Sequence, residues 1–299
     1  MIQKKIAIAL LVISSAFISC NNDDNEQEVT TSQITLDIDG LNDLGTDFKY
    51  EGWVIVNGTP VTTGVFSVDS EGALSQTKFD VDINDVASAT KFVLSIEPTN
   101  DPDPKPSDTK YLVGDFSGTS ATLSTGIIAD FSSVAGKFIL ATPTDNATNA
   151  ANNQNGIWWL MPGETPTPGL TLPVLPAGWK YEGWVVADGT PITTGTFTSV
   201  AATDDGAPFS GSDTLAAPNG DDGFFPGEDF LNNAPVGITF PLDVRGKTAV
   251  ISIEPYPDNN PKPFTLKPLA GTVGQDTAPT LHTMNSNVTA SFPTGSVWR

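Results

Sequence analysis

Glu97 and Glu254 stand in the same setting, Ser-Ile-Glu-Pro, inside apolar strand-like runs. A carboxyl group among apolar neighbours invites an acid/base reading, as one half of a catalytic pair. The setting occurs twice, with Lys91 and Lys105 near one glutamate and Lys247 and Lys262 near the other. That repetition favours a structural ion pair or a hydrogen bond to loop amides. Glu51 and Glu182 alternate with inward-facing neighbours and are expected to be solvated or paired with Lys49 and Lys180. A second chemistry is offered by acidic loops: Asp101 and Asp103 in one, Asp258 in another, with Asp221-Asp222 and Glu228-Asp229 farther along. Clustered carboxylates are what calcium accepts, yet no spacing matches an established calcium loop. Solvated acidic turns are the favoured expectation, and no cofactor is assigned. A third set is aromatic: Trp53, Trp158, Trp159, Trp179, Trp184 and Trp298 could stack on sugar rings, although tryptophan is more often core. Trp158 and Trp159 are adjacent, so in a strand they face opposite sides and one of them is expected at the surface, as a ligand-binding residue.

Other chemistries are closed off. The chain has one histidine, His282, and one cysteine, Cys20, so neither a zinc or copper cluster nor a Ser-His-Asp triad can be assembled around a recognisable nucleophile. Cys20 has a separate use. Lys4 and Lys5 precede an apolar run, Ile6 to Ile13, and small residues lead into Cys20, the pattern of a bacterial lipoprotein leader with the acylated thiol as the first mature residue. The apolar run is too short to span a bilayer. Residues 1–19 are therefore read as a signal peptide and 20–32 as a lipidated, acidic, flexible tether. A cysteine followed closely by acids resembles the signal that sends some lipoproteins of the Bacteroidota to the cell surface. The expected location is the cell envelope, anchored to the outer membrane, with the outer face preferred over the periplasm. The whole chain carries a net charge of −21, which repels nucleic acid and anionic lipid, so the membrane contact is expected through the lipid alone.

The elements that position these residues are duplicated. Residues 49–66, KYEGWVIVNGTPVTTGVF, recur at 180–197 with 13 identities in 18 positions, and 92–106, FVLSIEPTNDPDPKP, recur at 249–263 with 9 in 15. The offsets are 131 and 157, which places an insertion in the second copy near 204–229, rich in Gly, Pro and Asp and read as a loop. The copy ends are matched through Gly156 to Trp159 and Val297-Trp298. The expected organisation is a β-domain at 33–162, a linker at 163–169 and a second β-domain at 170–299. Short β-branched and aromatic runs between turn residues predict strands, and Asn57-Gly58 and Asp188-Gly189 predict tight hairpins. The fold class is all-β, two tandem antiparallel sandwiches or partly open barrels.

Tyr50, Trp53, Val54, Gly58, Pro60, Thr63, Gly64, Phe66 and Ser95 to Pro98, repeated as Tyr181, Trp184, Val185, Gly189, Pro191, Thr194, Gly195, Phe197 and Ser252 to Pro255, form a pattern that resembles the C-terminal extracytoplasmic domain of anti-sigma-K factors. The resemblance covers about two-thirds of each copy. It implies a β-rich sensor domain outside the membrane. Neither a membrane-spanning helix nor a sigma-binding segment accompanies it here, so the expected function is a non-catalytic, lipid-anchored binding or sensory module with a protein or glycan partner. The alternatives are a carbohydrate-active enzyme with a carboxylate site in the insertion, and an accessory component of an envelope signalling system.

Overall fold

A computed structural model describes residues 30–145, 150–211, 225–258 and 260–299. Cys20, the leader, most of the tether and Asp221-Asp222 lie outside the described residues. Strands take 44% of the chain and helices 7%, so the protein is all-β.

The first repeat lays down β1 (Thr31–Asp39), β2 (Phe48–Val56), β3 (Thr59–Phe66), β4 (Lys78–Asp82), the short helix α1 (Ile83–Ser88), β5 (Ala89–Pro98), β6 (Lys110–Asp115), β7 (Ser120–Leu123) and β8 (Ala135–Phe138). Next come β9 (Gly156–Trp158), β10 (Leu160–Met161), β11 (Thr167–Pro168) and β12 (Leu170–Thr171). The second repeat continues with β13 (Trp179–Ala187), β14 (Thr190–Phe197), β15 (Gly227–Asp229), β16 (Thr248–Pro255), β17 (Leu269–Thr272), β18 (His282–Ser286), the one-turn helix α2 (Val288–Ser291) and β19 (Thr294–Trp298).

The duplicated sequence folds identically in both places. The hairpin β2–β3 turns at Asn57 (φ 50°) and Gly58 (φ 81°), and β13–β14 turns at Asp188 (φ 51°) and Gly189 (φ 85°). Two successive positive φ angles define the turn whose twist suits a two-residue hairpin, and Asn, Asp and Gly tolerate it. Each hairpin carries a register shift at the matched place, Gly52/Trp53 and Glu182/Trp184. The sheet order β3-β2-β5-β6 is mirrored by β14-β13-β16-β17, with Tyr50 opposite Ile96 and Tyr181 opposite Ile253. Each tyrosine hydroxyl donates to a backbone carbonyl eight residues upstream, Asn42 at 3.0 Å and Pro173 at 2.7 Å, tying the lead-in segment to the sheet.

Strand pairing does not divide at 163–169. The first repeat's second sheet has the order β4-β1-β19-β7, so the strand between β1 and β7 comes from the end of the chain. The reciprocal place in the second repeat is filled by β8, between β12 and β18. Registers make the exchange explicit: Gly295 lies opposite Leu123 and Ile38, while Gly136 lies opposite Met284 and Leu170. Each repeat thus gives its last strand to the other, an exchange of identical elements of the kind seen between swapped protomers. Both glycines sit in crowded places; a Cβ would come within 3.0 Å of the Leu269 side chain at Gly136 and 2.5 Å of the Asp37 carbonyl oxygen at Gly295.

This corrects the expected domain limits and the matching of copy ends. Val297 pairs in the place matched by Phe138, not by Ile157. The expected linker is part of a hairpin, β10 with β11, and the insertion, read as a loop, ends in β15, which pairs with β9. The physical reason is satisfaction of edges: β1 and β7, and β12 and β18, would each present unpaired amides without the exchanged strand. In the first repeat the two four-stranded sheets pack face to face, with Phe66 of β3 against Phe79 of β4 at 6.0 Å between ring centroids. In the second the joined strands form one seven-stranded sheet, and the fold includes a sheet curled as a half-barrel. One large apolar cluster runs through both repeats, and a smaller one is formed by Ile139, Ala141, Trp158, Leu160 and Phe225.

Candidate functional site

In both repeats the indole of the strand tryptophan donates to a serine, which donates to the glutamate of Ser-Ile-Glu-Pro. Trp53 Nε1 reaches Ser95 Oγ at 2.8 Å and Trp184 Nε1 reaches Ser252 Oγ at 2.8 Å. Ser95 then bonds Glu97 Oε1, and Ser252 bonds Glu254 Oε1. Each carboxylate also accepts an amide ten residues on, Ser107 N to Glu97 at 2.9 Å and Phe264 N to Glu254 at 3.0 Å. The alternation of strand residues places Trp53 and Ser95 on one face across the β2–β5 ladder, which is why residues far apart in sequence meet. Of the two structural expectations for these glutamates, the loop-amide bond is present. The lysine pair is not: among the described residues Lys91 pairs with Asp115 and Lys247 with Asp188. Glu51 and Glu182 instead accept from Thr62 and Thr193, both at 2.5 Å, and Lys180 pairs with Asp205.

Glu97 and Glu254 are buried to 0% and 1% exposure. Burial raises both carboxyl pKa values, that of Glu254 to about 8, while the serine and amide bonds partly offset the shift. Burial likewise pushes Glu182 up to about 7. The charges that further raise Glu254 are Asp258 and Glu182, and those acting on Glu97 are Glu51 and Asp101. Carboxylate oxygens of Glu182, Glu254 and Asp258 all lie within 4.8 Å of one another. Asp101 acts on Glu97 only as a charge, and Asp258 is brought to Glu182 and Glu254. Asp103 is not: it is exposed and its carboxylate caps Lys105 N in the turn, as Asn260 caps Lys262 N in the other repeat.

A cavity of about 450 Å³ opens where the repeats meet. Its walls are Leu44, Phe48 and Ile96 from one repeat and Phe264 from the other, and Asp43, Asp47, Asp108 and Asp258 add carboxylates. Among the described residues no lysine, arginine or histidine lines it. Tyr256, Asp258, Asn260 and Pro261 line both this cleft and a more open depression with Glu182, Trp184 and Phe209. Tyr256 is 54% exposed, with Lys180 Nζ 4.0 Å from its ring centroid. The repeats are joined by Trp179 Nε1 donating to the Lys110 carbonyl at 3.2 Å and by Thr265 N donating to Asn42 at 2.8 Å.

Trp158 and Trp159 do not form the expected binding face, since both are buried, at 2% and 0% exposure. Trp158 donates to Asp229 at 2.9 Å. Trp159 donates to Thr194 at 3.2 Å and lies over Gly183. In the first repeat the matching glycine, Gly52, is covered by Phe92, and the matching threonine oxygen of Thr63 has no partner. The second repeat has Ala249 where the first has Phe92, so the Trp159 indole fills the volume that Ala249 leaves. The largest exposed tryptophan is Trp298, at 40%.

The insertion's acids are structural in their contacts. Glu228 and Asp229 are 0% exposed and adjacent in β15, so they point to opposite faces. Asp229 accepts Thr144 N at 2.8 Å and Thr144 Oγ1 at 2.6 Å, and Glu228 accepts Ser210 Oγ and Phe209 N. Sequence reasoning missed Ser95, Ser252, Thr62 and Thr193, though all four lie inside the duplicated blocks and are identical between copies. Comparison with known protein families, curated proteins and solved structures finds no match for this chain.

Proposed function

We propose that this protein is a non-catalytic binding module of the cell envelope, fastened by lipid at Cys20, that takes its ligand in the cleft between the repeats. The observation that carries the reading is the cleft itself, about 450 Å³ with walls from both repeats and an exposed aromatic ring at its rim. A concave site with apolar walls and a few convergent polar groups is the usual form of a ligand pocket. Its charged groups are carboxylates, without a basic partner among the described lining residues. The complementary ligand presents an apolar face beside hydrogen-bond donors or amines, as neutral and aminated sugar chains do, and anionic chains are repelled. The resemblance of the duplicated motif to anti-sigma extracytoplasmic domains supports a sensory or recognition ancestry outside the membrane.

Titration calorimetry with glucosamine oligosaccharides, neutral glucose oligosaccharides and oligogalacturonate tests this reading. Binding of the first or second class, weakened about tenfold by Tyr256→Ala, is expected. Absence of any Tyr256-sensitive saccharide binding overturns the glycan reading. Saccharide hydrolysis that disappears in Glu228→Ala or Asp229→Ala variants overturns the non-catalytic one.

A further inference from the structure

We infer that Lys180 is the positioning and specificity-determining residue of the cleft: anchored by Asp205 of the insertion, it holds the Tyr256 ring at the rim and fits that ring to the apolar face of a neutral sugar unit rather than to an amine. The inference rests on the cleft being a ligand site, as proposed above.

An aromatic ring at a rim binds best when it is already held, because a free side chain loses rotamer freedom on binding. The backbone of Tyr256 is fixed by its amide, which donates to the Gly178 carbonyl at 2.8 Å. The side chain is more than half exposed, so packing alone does not hold it. Lys180 supplies the hold. Its Nζ stands 4.0 Å from the ring centroid, inside the roughly 6 Å over which an ammonium is attracted to an aromatic face.

The lysine is held in turn. Its Nζ pairs with Asp205 Oδ2 at 2.9 Å. The same oxygen accepts from Thr196 Oγ1 at 2.6 Å, and Asp205 N donates to the Thr196 carbonyl at 2.7 Å. The side-chain bonds, that from Lys180 first, keep the Asp205 carboxyl below the usual carboxylate range. Thr196, Asp205, Lys180 and Tyr256 thus form one chain of contacts from β14, through the start of the insertion, to the rim of the cleft.

Duplication shows that the fold does not need this chain. Lys180 has its counterpart in Lys49, yet the residues matched to Tyr256 and Thr196 are Thr99 and Val65, and Asp205 lies in the segment that only the second repeat carries. Among the described residues Lys49 makes no salt bridge. The same hairpin folds in both repeats, so the ring and the acid around Lys180 are additions of the repeat that supplies the rim.

The cation also sets what the ring accepts. With one face against an ammonium, the ring draws a second ammonium less, whereas the C–H face of a neutral sugar packs on it without that repulsion. A ligand amine is left to Asp43, Asp47 and Asp108 in the lining.

Calorimetry of the full chain with neutral glucose and glucosamine oligosaccharides tests this, with proton NMR of the lysine side chains as a readout that needs no ligand. The Lys180 ε-methylene protons are expected upfield of those of other lysines, shielded by the ring, and to lose that shift in Tyr256→Leu and Asp205→Asn variants. Lys180→Met is expected to weaken the neutral class about threefold, the size of an exposed cation–π contact, and to move the preference toward glucosamine, whereas Lys180→Arg keeps both. In a Tyr256→Ala background Lys180→Met is expected to leave the neutral affinity unchanged, because its effect passes through the ring. Binding confined to the aminated class, a Lys180→Met effect that is nil or equal with and without the ring, or an unshielded Lys180 overturns this inference alone. Absence of saccharide binding by the wild type overturns the glycan reading of the cleft and this inference with it.

Discussion

Phe131 packs edge to face against Phe292, with ring centroids 5.2 Å apart, directly ahead of the strand that each repeat gives to the other. The two phenylalanines follow matched Ala-x-Phe segments, Ala129 to Phe131 and Ala290 to Phe292. Their contact marks the crossing of two chain segments about a pseudo-twofold relationship, and the exchange joins the repeats into one body with a cleft between them.

Deletion of residues 293–299 therefore damages the repeat it does not belong to. Loss of β19 leaves β1 and β7 with unpaired edges. Hydrogen exchange is expected to show lost protection at Asp37 and Ala121, which lie opposite Ser296 and Val297, while the β13–β16 pair stays protected. Unchanged protection in β1 and β7 would count against the exchange.

Trp159 substitutes for the ring that the second repeat lacks at Ala249. Trp159→Ala is expected to cost about 3–5 kcal/mol, as large-to-small core changes do. Adding Ala249→Phe, which restores the first repeat's arrangement, should recover part of that loss. Denaturant unfolding of the single and double variants measures it, and strict additivity of two destabilising changes would refute the compensation.

The indole–serine–carboxylate chains brace both sheets. Ser252→Ala strands the Trp184 N–H and removes a donor from Glu254, at an expected cost of about 1–3 kcal/mol. Ser95→Ala is expected to match it within roughly 1 kcal/mol, since the same bonds are made. A change in midpoint too small to resolve would show the chain to be incidental.

Stability should fall as pH rises. Burial raises Glu254 and Glu228 to about 8, Glu182 to about 7 and Asp229 to about 6, above the roughly 4 of an unfolded carboxyl. The folded state therefore holds protons more tightly than the unfolded state. The stabilisation is complete below about pH 4 and is lost as pH climbs through 6 to 8. A melting temperature at pH 5 higher than at pH 8.5, by on the order of 5 °C, is expected. Glu254→Gln should flatten the profile. A melting temperature that rises over this interval contradicts the assignment.

Cys20→Ala should abolish palmitate labelling in cells and move the protein from the membrane fraction to the soluble one. Labelling that persists in the variant would place the lipid elsewhere or remove the anchor from the account.

Much of the fold could be read from residues because duplication prints the same local rules twice. Asn57-Gly58 and Asp188-Gly189 announced their hairpins, and the alternating apolar runs announced β2, β5, β13 and β16. The exchange was not legible, because β8 and β19 are short, and a short strand says nothing of which sheet it joins. The Trp158-Trp159 pair misled for a related reason. Alternation predicts opposite faces, but both faces are covered, one by the β15 segment and the other by the second repeat's sheet. The second repeat's carboxylate trio was half visible: Asp258 stood out as a loop acid, while Glu182 and Glu254 come together only through the register of β13 with β16.

The most direct test of the interlocked architecture is a pair of engineered disulfides in a Cys20→Ser background. Thr122 lies opposite Ser296, and Lys137 opposite Thr283, and directly opposed strand residues fall within reach of a disulfide. With cysteines at 122 and 296, or at 137 and 283, oxidation is expected to close an intramolecular bond in the monomer in both cases. Failure of both pairs to close, or closure only between chains, would contradict the exchange of strands between repeats.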